Sequence, residues 1–252
     1  MEKSVGLVLS GGAVRGAAHI GVLKALEEAD IRPEFLSGSS AGSIVSVFYG
    51  AGYSPDEIEK IVLETNILSL VKPAFNLTAL FSLEKMEDFF SKYIGKKDLS
   101  ELDRKVYVCA TDLNAGRPVY FSEGDIFTVV SASCALPFVF KPVEIDGHLF
   151  IDGGVMDNLP VEPLLEEVDF IIGSEVNPMG EEKNLNNPFN ILIRSFYLAI
   201  RSNVEARRKY CDIFLQPPEL LQVGLFSTWK IKDAIEIGYR YAKRFITPSI
   251  LE

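Results

Sequence analysis

Twice before residue 50 this chain passes from a short apolar run, through a turn of small residues, into a stretch of helical periodicity. That repetition restricts its fold more than any other feature. Val5 to Leu9 is continuously apolar and stops at glycines, as a strand covered on both faces in a parallel sheet does. The turn that follows reads Gly11-Gly12-Ala13-Val14-Arg15-Gly16. From Ala17 to Ala29 the apolar positions Ile20, Val22, Leu23 and Leu26 recur at helical spacing, and Asp30-Ile31-Arg32-Pro33 ends the pattern. A second strand is expected at Glu34 to Ser37, a second turn at Gly38-Ser39-Ser40-Ala41-Gly42, and a small-residue helix from Ala41 to Tyr49. This β-α-β-α opening builds an α/β fold with a mainly parallel, helix-covered sheet.

Ser54-Pro55-Asp56-Glu57 supplies a cap, a proline at the first helical position and early acids, so a helix should run to about Thr65. Asn66 to Phe81 is rich in Leu, Phe and Ala, contains Pro73 and has no clean period, which suits a packed connection or a cover over a site. Helix is expected again from Ser82 to Ile94 and from Ile126 to Cys134, and strands at Val106 to Thr111 and Val119 to Phe121. Val143 to Ile145 and His148 to Ile151 flank Asp146-Gly147, a strong hairpin signal that delivers Asp152-Gly153-Gly154. A strand at Phe170 to Ser174, a helix from Pro188 to Tyr210, a strand at Ile213 to Leu215 and a helix from Ile231 to Phe245 complete the pattern. With no repeat or linker, residues 1–252 are expected to form one domain.

The balance of 25 Lys plus Arg against 35 Asp plus Glu gives a net charge of -10, which disfavours nucleic acid and anionic bilayers as general partners. Membrane contact would have to be transient, local and apolar. Cys109, Cys134 and Cys211 are odd in number and set among apolar residues, so neither a disulfide framework nor a zinc site is expected. The sequence enters its first strand with no secretory leader ahead of it, and a cytoplasmic protein is expected.

Gly38-Ser39-Ser40-Ala41-Gly42 matches the G-x-S-x-G elbow, in which small flanking residues permit the strained turn that lifts a serine hydroxyl above a sheet. Its place between strand and helix would aim the Ala41 N–H and the helix dipole at charge developing near Ser40. An ordinary glycine-rich turn gives the same pentapeptide. The serine needs a base, and the only histidines are His19 and His148. Neither follows Asp152, so the Ser, acid, His order of α/β-hydrolases is excluded; packing or surface roles suit both. A carboxylate held against the hydroxyl can serve instead. Asp152 leads, because it ends an apolar strand before two glycines; Asp157, in Met156-Asp157-Asn158-Leu159-Pro160, competes and also fits turn capping.

The first turn lacks the Lys and Ser/Thr of a phosphate-binding P-loop, having Ala17-Ala18 there, and lacks the middle glycine of a dinucleotide fingerprint. Small residues at Gly11, Gly12 and Ala13 before a helix expose backbone N–H groups, which suits an oxyanion hole. Arg15 could fix this loop or meet an anion. Leu68 to Phe81, with Phe138 and Phe140, could line an acyl channel or be core. Arg194, Arg201 and Arg208 share a helix face that could meet phosphates, although a solvated or paired stripe is the commoner outcome.

Leu9-Ser10-Gly11-Gly12-Ala13-Val14-Arg15-Gly16-Ala17-Ala18-His19-Ile20-Gly21, the serine elbow and Asp152-Gly153-Gly154 resemble three ordered blocks of the bacterial patatin-like phospholipases. Ala132-Ser133-Cys134-Ala135-Leu136-Pro137-Phe138 and Asn158-Leu159-Pro160 resemble further parts of that pattern, which covers roughly Val5 to Pro163. The resemblance implies a three-layer α/β/α sandwich and a Ser40–Asp152 dyad, with Gly11, Gly12, Ala13 and Ala41 around the oxyanion. Gly16, Gly38, Gly42, Gly153 and Gly154 would support those turns. It further implies hydrolysis of fatty-acyl esters or phospholipids without metal or cofactor. Ala13 departs from the pattern, standing where the family has a third glycine, so a positive φ there would be strained. A lipid-binding regulatory module with little turnover and a nucleotide-binding protein are the readings from other classes.

Overall fold

The computed structural model describes residues 3–65, 72–73, 81–83, 85–95, 97–181 and 185–251. Its strands are β1 (Val5–Leu9), β2 (Phe35–Ser39), β3 (Lys72–Pro73), β4 (Phe81–Ser82), β5 (Lys105–Asp112), β6 (Arg117–Phe121), β7 (Val143–Ile145), β8 (His148–Asp152), β9 (Phe170–Ser174) and β10 (Ile213–Leu215). Its α-helices are α1 (Ala18–Glu28), α2 (Ala41–Gly50), α3 (Pro55–Glu64), α4 (Lys85–Tyr93), α5 (Ile126–Ser133), α6 (Pro188–Arg207) and α7 (Ile231–Ala242). The stretch expected to be a connection or cover, 66–81, lies outside the described residues except for the short pairing of β3 with β4.

Eight strands form one sheet in the order β10-β9-β1-β2-β5-β8-β7, with β6 also on β5. The run from β10 to β5 is parallel, while β6 and β8 are antiparallel to β5. Residues of β1 alternate between two cores, as the pleat requires. Val5, Leu7 and Leu9 join the larger core, with α1, α2, α3 and α7. Val8 joins a smaller one with Leu159, Val161, Leu164, Ile200 and Val204, so α6 covers the opposite face and the molecule is a three-layer α/β/α sandwich.

Local chemistry agrees with the elements. Ser54 and Glu57 form a reciprocal capping box ahead of Pro55, with the Ser54 N–H 2.9 Å from Glu57 Oε2. Asp146 and Gly147 both have positive φ, 50° and 80°, as a tight hairpin turn demands. α1 crosses α7 so closely that a side chain at Gly21 would come within 2.0 Å of the Ile235 carbonyl oxygen. Two helices end earlier than the sequence predicts. α6 passes into a 3-10 turn at Arg208–Tyr210, and after α7 the N–H groups of Arg244 and Phe245 bond three residues back, tightening the last turn.

The strand registers place the site. β2 occupies one edge of β5 as far as Ser39 opposite Cys109, and β8 takes over the same edge with Asp152 opposite Ala110. The other edge is filled by β6 along 108–112. Two strands of opposite direction therefore end head to head on β5, with Ser40 leaving one and Asp152 ending the other. Because β1 lies beside β2, the glycine turn and the elbow leave the sheet together at its C-terminal edge.

Candidate active site

Ser40 stands between β2 and α2 with φ 51° and ψ −123°. A residue with a Cβ is strained there by roughly 1–3 kcal/mol, so the surroundings must hold it. They do: its N–H donates to Ser133 Oγ at 2.8 Å, and its carbonyl accepts from Ser43 Oγ at 2.6 Å. Gly42 lets the elbow lie against the first turn, since a Cβ on it would sit 2.2 Å from the Leu9 carbonyl oxygen. Gly38 packs on the Gly42 backbone and Gly16 on Ala41.

Asp152 is 5% exposed. Its N–H donates to the Ala135 carbonyl at 3.0 Å and its Oδ1 accepts from the Gly154 N–H at 2.8 Å, while the Ser40 side chain lies near enough to favour its ionised form. Burial pushes its pKa up to about 6, against the pull of Ser40 and Gly154. Gly153 is packed on the Cys109 carbonyl and Ser39. The Ala132–Phe138 stretch thus braces both partners, through Ser133 and Ala135, which the sequence marked only by resemblance.

Ala13 has φ 49°, so the left-handed conformation expected of a glycine is adopted by an alanine, exposed at the turn. Among the described residues nothing accepts from the N–H groups of Gly12, Ala13 or Ala41. Gly11 departs from the expected set of oxyanion donors, because its N–H donates to Asn158 Oδ1 at 3.2 Å. Its carbonyl accepts from Asn158 Nδ2 at 3.4 Å and Asn177 Nδ2 at 2.6 Å. Asn158 therefore clamps the glycine turn and, with its side-chain oxygen also against Gly154, ties it to the Asp152 turn. Asn177 comes from the segment after β9; as a lone asparagine it left no pattern in the sequence.

Arg15 fixes the loop: its Nε donates to the Val223 carbonyl at 2.7 Å. His19 is fully buried, with Nε2 donating to the Ser10 carbonyl and Nδ1 accepting from Ser174, each at 2.8 Å. Burial lowers its pKa to about 4, so it is a neutral brace under the turn. His148 lies 2.8 Å from Asp112, on the β8 end remote from Asp152. Asp157, the competing carboxylate, is occupied elsewhere by the Tyr120 hydroxyl at 2.7 Å, Arg207 Nε at 2.9 Å and the Leu159 N–H at 3.1 Å.

A cavity of about 470 Å³ adjoins the glycine turn, lined by Arg15, Asn177, Tyr197, Arg194, Leu225 and Phe226 among others. Burial, and then the Asp152 charge, push the phenol pKa of its Tyr197 up. A larger groove of about 1030 Å³, lined by charged side chains such as Lys24, Glu59 and Arg244, holds none of the site residues. Of the expected acyl channel, Phe138 is exposed and 66–71 and 74–80 lie outside the described residues. The arginine stripe is paired: Arg194 donates to the Gly180 carbonyl, Arg201 faces Glu205 and Arg208 stacks on Phe214. Among the described residues no group of three or more His, Cys, Asp or Glu could hold a metal ion, and no helix is long and apolar enough to cross a membrane.

Residues 7–165 match the patatin-like phospholipase family. An uncharacterised NTE family protein of Mycobacterium tuberculosis is 34% identical over 201 residues, covering 76% of this chain and 56% of that protein. A lysophospholipase of Aspergillus fumigatus is 27% identical over 97% of the chain, and the human patatin-like phospholipase domain-containing protein 6 is 25% identical over 96%. The chain spans only 18% and 20% of those two relatives. Among solved structures, VipD of Legionella pneumophila superposes with a TM-score of 0.56 at 16% identity, over 96% of this chain and 66% of that one. The type III effector ExoU superposes with a TM-score of 0.51 at 13% identity, over 97% and 52%. With the matched segment running from β1 past Asp152 and Asn158, the chain belongs to the patatin-like phospholipase family.

Proposed function

We propose that this chain is a lipid acyl hydrolase of the phospholipase A or lysophospholipase type, one domain over residues 1–252, with Ser40 as nucleophile and Asp152 as base. The observation that carries the reading is the placement of the strained Ser40 and the buried Asp152 where β2 and β8 end head to head on β5, with burial lifting the carboxyl pKa to about 6. Ser40 Oγ attacks the ester carbonyl carbon while Asp152 takes its proton. The tetrahedral oxyanion is met by the N–H groups of Gly12, Ala13 and Ala41, the last at the N-terminus of α2. Collapse breaks the ester C–O bond, and Asp152 gives the proton to the departing alcohol. Water, deprotonated by Asp152, then attacks the acyl-enzyme, and the proton returns to Ser40 as the fatty acid leaves. The names of the fungal and human relatives support lipid esters as the substrate class.

Ser40→Ala and Asp152→Asn are each expected to lower hydrolysis of lysophosphatidylcholine and of p-nitrophenyl butyrate by about 10³-fold or more, with unchanged circular dichroism. Wild-type turnover in either variant contradicts the dyad. Stoichiometric labelling of wild-type Ser40 by a fluorophosphonate without turnover on any ester would favour a lipid-binding module instead.

A further inference from the structure

The chain has 35 acidic residues, yet none occurs from Leu185 to Val204 or from Leu220 to Lys232. These two stretches meet at the 470 Å³ cavity: Ile193, Arg194 and Tyr197 of α6 line it together with Leu221, Leu225 and Phe226, and Glu181 is the acid on its wall. On the solvent side of α6, Ile191, Leu192 and Leu198 are exposed, and the neighbours on that stripe, Ser195 and Ala199, are uncharged. Opposite them Leu221, Phe226 and Trp229 are exposed, Trp229 to 78%. Arg201, Lys230 and Lys232 are the ionised side chains contributed by these stretches beyond the cavity wall. A helix with apolar residues outward and aromatic residues beside it, whose one acid, Glu205, lies in its last turn against Arg201, has the composition of an interfacial surface. The two stretches carry Arg194, Arg201, Lys230 and Lys232 and no acid within a chain of net charge -10, so an anionic membrane would favour this face over the acidic remainder.

We propose that this surface docks on a lipid bilayer bearing anionic headgroups, setting the mouth of the cavity at the interface so that a lipid can pass toward Ser40. The role of the docked state rests on the hydrolase reading, whereas the docking itself is measured without turnover. Trp229 is the only tryptophan, so its emission reports from the surface itself. With phosphatidylcholine vesicles containing about 30% phosphatidylglycerol, the protein should float with the lipid, Trp229 emission should shift to the blue, and brominated acyl chains should quench it. Ile191→Ser/Leu198→Ser should weaken vesicle partitioning by about 10-fold or more while leaving hydrolysis of monomeric p-nitrophenyl butyrate unchanged. The proposal is overturned by absence of flotation, by flotation with unmoved Trp229 emission, or by the double variant partitioning like wild type. It is also overturned if the wild type is a dimer that this variant dissociates and vesicles do not bind, which assigns the face to a second copy. Wild-type protein that docks but hydrolyses no ester would retain the surface and refute the reading of Ser40.

Discussion

Asp152 and Asp157 lie in consecutive turns after β8, at 5% and 0% exposure, and burial pushes both carboxyl pKa values up. What separates them is their partners. Asp157 is enclosed by fixed partners, accepting from the Tyr120 hydroxyl and the Leu159 N–H and lying 2.9 Å from Arg207, which is also held 2.7 Å from Glu162, so no reactive group faces it. Around Asp152 one oxygen is held by Gly154, and the neighbour that favours its charge besides is the Ser40 side chain. A buried carboxylate with complete partners is structural. On the proposed mechanism one beside the strained Ser40 is chemical, and a raised pKa alone does not tell the two apart.

The largest expected separation is in turnover and stability together. Asp157→Ala should retain the specific activity of its folded fraction within about 3-fold, yet lose about 3 kcal/mol of stability in urea, because the Tyr120 hydroxyl and the buried Leu159 N–H lose their acceptor and Arg207 keeps only Glu162. If that variant is as inactive as Asp152→Asn while fully folded, the division between the turns fails.

Asn158 joins the two turns and should show an intermediate phenotype. Asn158→Leu leaves the Gly11 N–H without an acceptor and frees the loop that carries Gly12 and Ala13. A fall in kcat of about 10-fold to 100-fold with KM changed by less than about 3-fold is expected in steady-state kinetics on a soluble ester. An effect confined to KM would move Asn158 out of the oxyanion loop's support.

The smallest effect concerns stability at Asp152 itself. Its folded pKa of about 6 lies above the ordinary 3.8, so the ionised form is disfavoured in the fold, and the cost builds as pH rises from about 4 to about 6. Asp152→Asn, which removes the charge, should therefore be more stable than wild type by about 2 kcal/mol at neutral pH, and the gain should vanish near pH 4. Thermal unfolding at both pH values reads this directly; a variant less stable at neutral pH would contradict the stored cost.

Much of the fold was legible because its signals are local. The β1 and β2 turns, the Ser54 cap and the Asp146-Gly147 hairpin depend on sterics and hydrogen bonds within a few residues. The positions of Ser40 at a strand-to-helix turn and of Asp152 at a strand end before two glycines were legible for the same reason. The choice between Asp152 and Asp157 was not, since Tyr120 and Arg207 come from β6 and α6. Nor was the loss of Gly11 as a donor, which depends on one asparagine 147 residues away. The arginine stripe had the right period, but its partners at Gly180 and Phe214 lie in other segments.

The pH dependence of fluorophosphonate labelling at Ser40 tests the central claim most directly. From about pH 4 to about pH 8 the labelling rate should rise with a midpoint near 6, the pKa of the buried Asp152. It should be all but lost in Asp152→Asn and unchanged in Asp157→Asn. A profile that survives Asp152→Asn, or disappears with Asp157→Asn in folded protein, would contradict the account.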